Sequence, residues 1–143
     1  MKISTKGRYA VRVMIDLAEH NTGEYITLMD IADRQEISEK YLESIVSILS
    51  KNGLLTSLRG KGGGYKLLRA PEEYTVGEIL RLTEGSLDPV PCLEKQINPC
   101  TRSENCQTRK MWEGLAELIN EYFEHITIAD LVNTDNYVGN YVI

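Results

Sequence analysis

Three cysteines stand close together in the stretch CLEKQINPCTRSENC, which runs from Cys92 to Cys106. Seven residues separate Cys92 from Cys100, and five separate Cys100 from Cys106. Thiolates are the ligands that iron–sulfur clusters, zinc and copper(I) prefer. A structural zinc site usually has more closely spaced cysteine pairs and an evident fourth ligand, and this stretch has neither. The residues therefore indicate a soft-metal site, while three unliganded loop thiols stay open as the alternative.

A second candidate for chemistry is the glycine-rich stretch SLRGKGGGYKLL, which spans residues 57–68. In a nucleotide-hydrolysing phosphate loop, the lysine is followed by Ser or Thr at the start of a helix. Here Lys66 is followed by leucine and by further strand-like residues. The pattern instead favours a β-hairpin with glycines in its turn, Arg59 at its base and Lys61 at its tip. A phosphate-handling enzyme that uses Lys61 or Lys66 is the disfavoured alternative, because no paired acid and base accompany a nucleophile.

Charge is unevenly distributed along the 143 residues of the chain. Residues 1–70 carry eleven Lys and Arg against eight Asp and Glu, a net +3, whereas residues 71–143 carry a net −8. The first half can therefore approach nucleic-acid phosphates while the second half favours solubility. Neither an apolar stretch of membrane-spanning length nor a secretory signal is evident, so we expect a cytoplasmic protein with reduced cysteines and no membrane partner.

The elements that must position these groups follow from hydrophobic periodicity and from capping residues. Val11, Met14, Ile15 and Ala18 recur at helical spacing and predict the inward stripe of a first helix. Thr27 and Ser38 are good N-caps for two further helices. The predicted elements are helices over residues 9–18, 28–35, 38–52 and 76–82, and strands over residues 54–58 and 64–68.

This order of elements describes a winged helix-turn-helix, in which the helix after the tight turn enters the major groove of DNA. With the apolar stripe of that helix facing the core, Lys40, Glu43 and Ser44 face outward. Lys40 can meet a phosphate, Ser44 a base edge or a phosphate, and Glu43 a cytosine amino group. The hairpin is then the wing, with Arg59 suited to a narrow minor groove and Lys61 to a phosphate.

The strongest helical pattern in the chain spans Met111–Ile126. Its apolar residues are too many for one face packed on a small core, and they recur at a spacing of about seven residues. We therefore expect a second helix to pack there, in a homodimer, with burial inside the monomer as the alternative. These residues are Met111, Trp112, Leu115, Leu118, Ile119, Tyr122, Phe123 and Ile126.

The chain resembles the iron–sulfur cluster regulator (IscR/NsrR/CymR-like) family of bacterial winged-helix regulators. The resemblance rests on MKISTKGRYAVRVMIDLA, DIADRQEISEKYLESIVSILSKNGLL, SLRGKGGGYKL and VGEILRLTEG, followed by the three cysteines. It implies a homodimer held by the long C-terminal helix. It also implies DNA contacts from Glu43, Ser44 and Arg59, which occupy matching motif positions, and we expect Lys6 and Arg8 to add phosphate contacts.

The resemblance further implies that Cys92, Cys100 and Cys106 hold an iron–sulfur cluster, with 2Fe–2S favoured and 4Fe–4S as the alternative. The family's cluster regulator has a histidine three residues after the third cysteine, where this chain has Arg109. Its nitric-oxide sensor has an acidic ligand near the N-terminus, where this chain has Arg8. An arginine side chain has no free lone pair, so the fourth ligand is unknown and a labile cluster is expected.

We therefore expect a mainly α-helical winged helix-turn-helix protein with a long C-terminal dimerisation helix. Its expected function is that of a transcriptional regulator, acting as a repressor on double-stranded operator DNA, that senses cluster status, redox state or nitric oxide. It is not expected to be an enzyme. A cluster-free regulator controlled by thiol oxidation or by a partner protein is the alternative. The expected parts are a DNA-binding module (1–71), a connecting helix (72–85), a cluster loop (86–108), a dimerisation region (109–133) and a tail (134–143).

Overall fold

The computed structural model describes residues 2–94, 100–102 and 104–134. Residues 95–99 and 103 of the predicted cluster loop, and the predicted tail beyond residue 134, lie outside these residues. The described residues form six α-helices and one antiparallel hairpin, which confirms the mainly α-helical fold with a two-stranded wing. The elements are α1 Thr5–Glu19, α2 Leu28–Gln35, α3 Glu39–Lys51, β1 Leu55–Leu58, β2 Gly64–Leu67, α4 Val76–Glu84, α5 Arg109–Glu124 and α6 Ile128–Val132, with short 3-10 turns at Pro71–Glu73 and Pro91–Leu93.

Side-chain caps fix where the first three helices begin. The hydroxyls of Thr27 and Ser38 each accept a hydrogen bond from the main-chain amide three residues further on, as the sequence predicts. Ser4 caps α1 in the same way, so this helix begins at Thr5 rather than at residue 9. The earlier start matters because it places Lys6 and Arg8 on a helix.

The main core lies where α1, α2, α3 and the hairpin meet. Of the predicted stripe on α1, Met14 is fully buried, whereas Val11, Ile15 and Ala18 are half-buried at the edge of the core. The buried face is shifted because α4 and α6 pack against a further side of α1. The fully buried apolar side chains of α1 are Ala10, Val13, Met14 and Leu17, and those of α3 are Leu42, Ile45, Val46 and Leu49.

An ion pair with a buried carboxylate joins α1 to the end of α2. Asp16 is 0% exposed, and its carboxylate accepts hydrogen bonds from Arg34 Nε at 3.0 Å and Arg34 Nη2 at 2.8 Å. The side-chain amide of Gln35 donates a third hydrogen bond to this carboxylate at 2.9 Å. The hydrogen bonds that Arg34 donates to Asp16 raise the pKa of Arg34 further above its ordinary value, so the guanidinium stays charged. This set of hydrogen bonds ties the end of α2 to α1.

The hairpin is attached to the segment that precedes α2. Leu55 pairs with Leu67 and Leu58 with Gly64 in the antiparallel register. Beyond this register, Ile26 pairs with Tyr65 through two main-chain hydrogen bonds of 2.8 Å. Tyr65 lies near the turn end of β2, so this end of the hairpin is held on the segment that leads into α2.

After α5 the chain returns to the N-terminal half of the molecule. Thr127 forms a β-bridge with Thr75, and the neighbouring main-chain groups of Ile126 and Ile128 make hydrogen bonds of 2.9 and 3.0 Å with the segment before α4. Ile128 is fully buried in the main core. The helix predicted to reach Ile126 thus ends at Glu124, and α6, which sequence analysis did not predict, contributes to the core.

Candidate nucleic-acid interface and cysteine loop

The outer face of α3 carries the side chains predicted to meet DNA. Lys40, Glu43 and Ser44 are all exposed, while the opposite stripe of the helix is buried in the core. The Ser44 hydroxyl donates a hydrogen bond to the Tyr41 carbonyl at 2.7 Å, which leaves its oxygen lone pairs able to accept. The three predicted residues therefore share one exposed face of a helix that follows a tight turn.

The turn of the hairpin owes its conformation to glycine. Gly60 and Gly62 have φ angles of 91° and 77°, values that side chains disfavour. A Cβ atom on Gly63 would lie 2.1 Å from a carbonyl oxygen of β1, so this position also requires glycine. Arg59 and Lys61 are exposed beside this turn. The run of glycines is explained by the turn itself, and it presents both basic side chains to solvent.

Lys66 has a structural role on the hairpin. Its Nζ lies 4.6 Å from the centre of the Tyr25 ring and 3.3 Å from the Gly23 carbonyl oxygen. These contacts are a cation–π interaction and a hydrogen bond to the loop before α2. The lysine that follows the glycine run thus ties the hairpin to the rest of the molecule.

The beginnings of α1 and α3 lie side by side. The rings of Tyr9 and Tyr41 meet edge to face with their centres 5.7 Å apart. Arg8, beside Tyr9, is exposed and donates from Nη2 to the Thr5 hydroxyl at 3.1 Å, whereas Lys6 is half-buried. The structure therefore brings the basic start of α1 next to the start of α3, which carries Lys40.

Arg12 contacts both Tyr9 near the start of α1 and Gln35 at the end of α2, and the sequence analysis did not identify it. Its guanidinium lies 5.1 Å from the centre of the Tyr9 ring, and its Nε donates to the side-chain oxygen of Gln35 at 3.1 Å. Gln35 in turn contacts the buried Asp16 carboxylate. No local sequence pattern marks the contacts with Gln35, because Arg12 and Asp16 lie on α1 and Gln35 lies on α2.

The cysteine loop offers free thiols. Cys92 lies half-buried in the 3-10 turn at Pro91–Leu93, and Cys100 and Cys106 are exposed. The Sγ of Cys106 lies 3.3 Å from the Thr108 hydroxyl, and this hydrogen bond, followed by main-chain amides and the Arg109 charge, lowers the pKa of Cys106. A lowered pKa favours the thiolate, the form that binds metal.

The donor set fits an iron–sulfur cluster in its chemistry, because three free thiols lie on one loop. Across residues 2–94, 100–102 and 104–134, no three His, Cys, Asp or Glu side chains are grouped so as to hold a metal ion. The structure therefore does not bring Cys92, Cys100 and Cys106 together, and binding would require the loop to close around the group. Arg109 donates from Nε to Glu113 at 2.8 Å, so its side chain is engaged along α5.

The helix α5 has two apolar faces. Ile119 and Phe123 pack against a second small core formed with α4 and the start of the cysteine loop. On a different face Met111, which is 55% exposed, is followed by Leu115 and by Leu118, which is 65% exposed. Within residues 109–124, all of which are described, no side chain is fully buried. The first face is covered inside the monomer, and the second lies open in the single chain.

In the described ranges of the chain, the helices are too short or too polar to cross a lipid bilayer.

Comparisons with known proteins give relatives over most of the chain. Residues 3–134 match the family described as "Rrf2: Iron-dependent Transcriptional regulator". The chain is 42% identical over 133 residues to the HTH-type transcriptional regulator IscR of Erwinia tasmaniensis, with 93% of this chain and 79% of that protein covered. It is 40% identical over 136 residues to the protein of the same name from Serratia proteamaculans, with 95% and 82% covered.

Solved structures with the same fold include two regulators that are each 36% identical to this chain. CymR, described as the global cysteine regulator of B. subtilis, superposes with a TM-score of 0.76 over 94% of this chain and 98% of that one. T. potens IscR superposes with a TM-score of 0.73 over 96% of this chain and 90% of that one.

Proposed function

The chain belongs to the Rrf2 family of transcriptional regulators, and on that premise we propose that it represses transcription as a homodimer whose operator binding is controlled by an iron–sulfur cluster. It is a DNA-binding regulator and not an enzyme, as its relatives are named HTH-type transcriptional regulators. In this proposal residues 1–71 bind DNA and residues 86–108 hold the cluster. Residues 72–85 form the helix that connects these two parts, and residues 109–133 contain the dimer contact. The observation that carries the DNA-binding part is the exposed outer face of α3 beside the start of α1.

Each exposed side chain has a distinct role on DNA in this proposal. Lys40 and Lys61 neutralise phosphates, which gives affinity without sequence preference. Ser44 accepts at a base edge, or releases the Tyr41 carbonyl and donates to a base edge or a phosphate. Glu43 selects a cytosine amino group while repelling other positions. Arg59 enters a narrow minor groove from the wing. Lys6 and Arg8 add phosphate contacts from the start of α1.

Cys92, Cys100 and Cys106 would hold the cluster, with 2Fe–2S favoured. When bound, the cluster supplies a centre that responds to oxidants and nitric oxide. The exposed thiols of Cys100 and Cys106 leave the loop accessible for assembly, and the Thr108 hydroxyl favours the thiolate of Cys106. Because the loop joins α4 to α5, closing it changes how α5 lies against α4. Two recognition helices must match a fixed half-site spacing, so a small shift of this kind alters DNA affinity.

A cluster-free regulator governed by thiol oxidation is the second candidate. It is favoured by the similarity to CymR, which is described as a cysteine regulator, and by the exposed position and lowered pKa of Cys106. Colour separates the two candidates, because protein purified without oxygen is brown only if it carries a cluster. Equal molar amounts of iron and acid-labile sulfide in the protein support the cluster-controlled regulator. The absence of both after reconstitution supports the cluster-free regulator.

Replacing Arg59 with alanine should weaken DNA binding about tenfold and reduce the slope of log affinity against log salt by about 1, because one cationic contact is lost. Fluorescence anisotropy on a duplex enriched by the wild-type protein from a random pool measures both quantities. Arg102→Ala is the matched control, because it removes an exposed arginine outside the wing. Equal affinities for Arg59→Ala and the wild type would remove Arg59 from the interface.

Replacing Glu43 with alanine should broaden the set of DNA sites that are bound rather than weaken all sites equally. Removing a carboxylate that repels wrong bases relaxes discrimination at one position by about 1–3 kcal/mol. Selection from a randomised pool followed by sequencing measures the preference at each position. Glu39→Ala, in the first turn of the same helix, is the control for the loss of charge. A uniform change across all sites contradicts base selection by Glu43.

A further inference from the structure

Two segments that are distant in the chain meet at the start of α1. Ser4, the N-cap of this helix, donates its main-chain N–H and its hydroxyl to Oε1 of Glu84, at 3.1 and 2.6 Å. The Ser4 hydroxyl also accepts a hydrogen bond from the Gly7 amide at 3.0 Å. Glu84 is the last residue of α4, and Gly85, with a φ angle of 79°, directly follows it. One carboxylate oxygen therefore accepts from both donors of the N-cap residue of α1.

The first turn of α1 is shaped around this carboxylate. A Cβ atom on Gly7 would lie 2.2 Å from Glu84 Oε1 and 3.1 Å from the Thr83 hydroxyl, so glycine leaves the space that the Glu84 carboxylate occupies. The first turn of α1 contains no acidic residue of its own. Since the positive end of a helix dipole is stabilised by a nearby anion, Glu84 supplies from another helix the charge that α1 lacks.

We propose that Glu84 is a positioning residue for DNA binding, which holds the first turn of α1 so that Lys6 and Arg8 reach phosphates. This inference rests on the proposed phosphate contacts of those two residues, which flank Gly7. The direction of the expected change in DNA affinity distinguishes this inference from a simple effect of charge. On charge alone, removing a carboxylate from a DNA-binding protein strengthens attraction to the phosphates. If Glu84 positions the turn, its removal weakens binding instead.

The test measures affinity and its salt dependence on a duplex enriched by the wild-type protein from a random pool. Glu84→Ala should bind about tenfold more weakly, and its slope of log affinity against log salt should fall by about 1–2. Glu84→Gln keeps an acceptor oxygen for Ser4 and should retain the wild-type slope. Glu78→Ala is the matched control, because this carboxylate of α4 pairs with Arg69 at 2.7 Å instead of with Ser4. Each affinity is calculated from the concentration of folded protein, and thermal melting gives the folded fraction of each variant.

A double-mutant cycle identifies the route of the effect. Glu84→Ala should change nothing further in a Lys6→Ala/Arg8→Ala background, because its effect passes through those two residues. Additive losses, or a wild-type slope for Glu84→Ala, overturn the inference. If Lys6→Ala/Arg8→Ala loses slope while Glu84→Ala keeps it, the inference alone fails. If Lys6→Ala/Arg8→Ala itself keeps the wild-type slope, the proposed phosphate contacts fail and the inference fails with them.

Discussion

Serine in place of any one of Cys92, Cys100 and Cys106 should abolish the visible chromophore of protein reconstituted anaerobically with iron and sulfide. A cluster held by three thiolates loses a strong ligand in each variant, and the chain offers no histidine within the loop to replace it. We expect the three variants to behave alike, with iron and sulfide contents near zero. Absorbance spectra combined with iron and sulfide assays measure this result.

Variants of Arg109 provide the matched control for the cysteine series. Arg109→Ala should keep cluster content near that of the wild type, because arginine cannot ligate and its exposed ion pair with Glu113 contributes at most about 1 kcal/mol. Arg109→His should hold its cluster longer in air and shift the visible spectrum, because an imidazole is then available as a ligand. Cysteine variants that retain the chromophore, or a wild type that never forms one, would favour the thiol-controlled regulator.

Glutamate at both Met111 and Leu118 should convert the proposed homodimer to a monomer and lower operator affinity about 100-fold. Both side chains are exposed on one face of α5 in the single chain, so the charges leave the monomer core intact. They repel their counterparts when two copies of that face meet, and a monomer loses the avidity that two linked half-sites provide. Sedimentation velocity and DNA titration on the same samples measure the two effects.

The control for this prediction is Leu68→Glu. Leu68 is 54% exposed directly after β2, so this variant adds a charge at an equally accessible apolar residue away from α5. It should remain a dimer. A Met111→Glu/Leu118→Glu protein that also sediments as an unchanged dimer would place the contact on another surface.

Local signals in the sequence predicted the helices and the hairpin of residues 1–71 well. Thr27 and Ser38 marked the beginnings of α2 and α3, and the glycine run marked the turn of the hairpin to within one residue of each strand. These elements are decided by nearby groups, such as a hydroxyl that accepts from an amide three residues away or a φ angle that glycine tolerates. The exposure of Lys40, Glu43 and Ser44 followed from the apolar period of α3, while their contacts with DNA stay predictions.

The features that sequence analysis missed depend on distant partners. The capping box of Thr127 and Asp130 is visible in the sequence, but a helix of only five residues is stable here because Ile128 is buried beside α1. The burial of Asp16 could not be inferred, since its partners Arg34 and Gln35 lie on another helix. The contact between Ser4 and Glu84 spans 80 positions and leaves no periodic trace.

The burial of Ile128 against the N-terminal helices bears on the order in which a newly made chain acquires its properties. Translation delivers α1, α2, α3 and the wing first, but the core that holds them is completed only when α6 has left the ribosome. Because α5 precedes α6 in the chain, its open apolar face has already been synthesised by then. We therefore expect the proposed DNA-binding surface to fold only on chains that already contain the proposed dimer face of α5. Incomplete nascent chains would then not occupy operators.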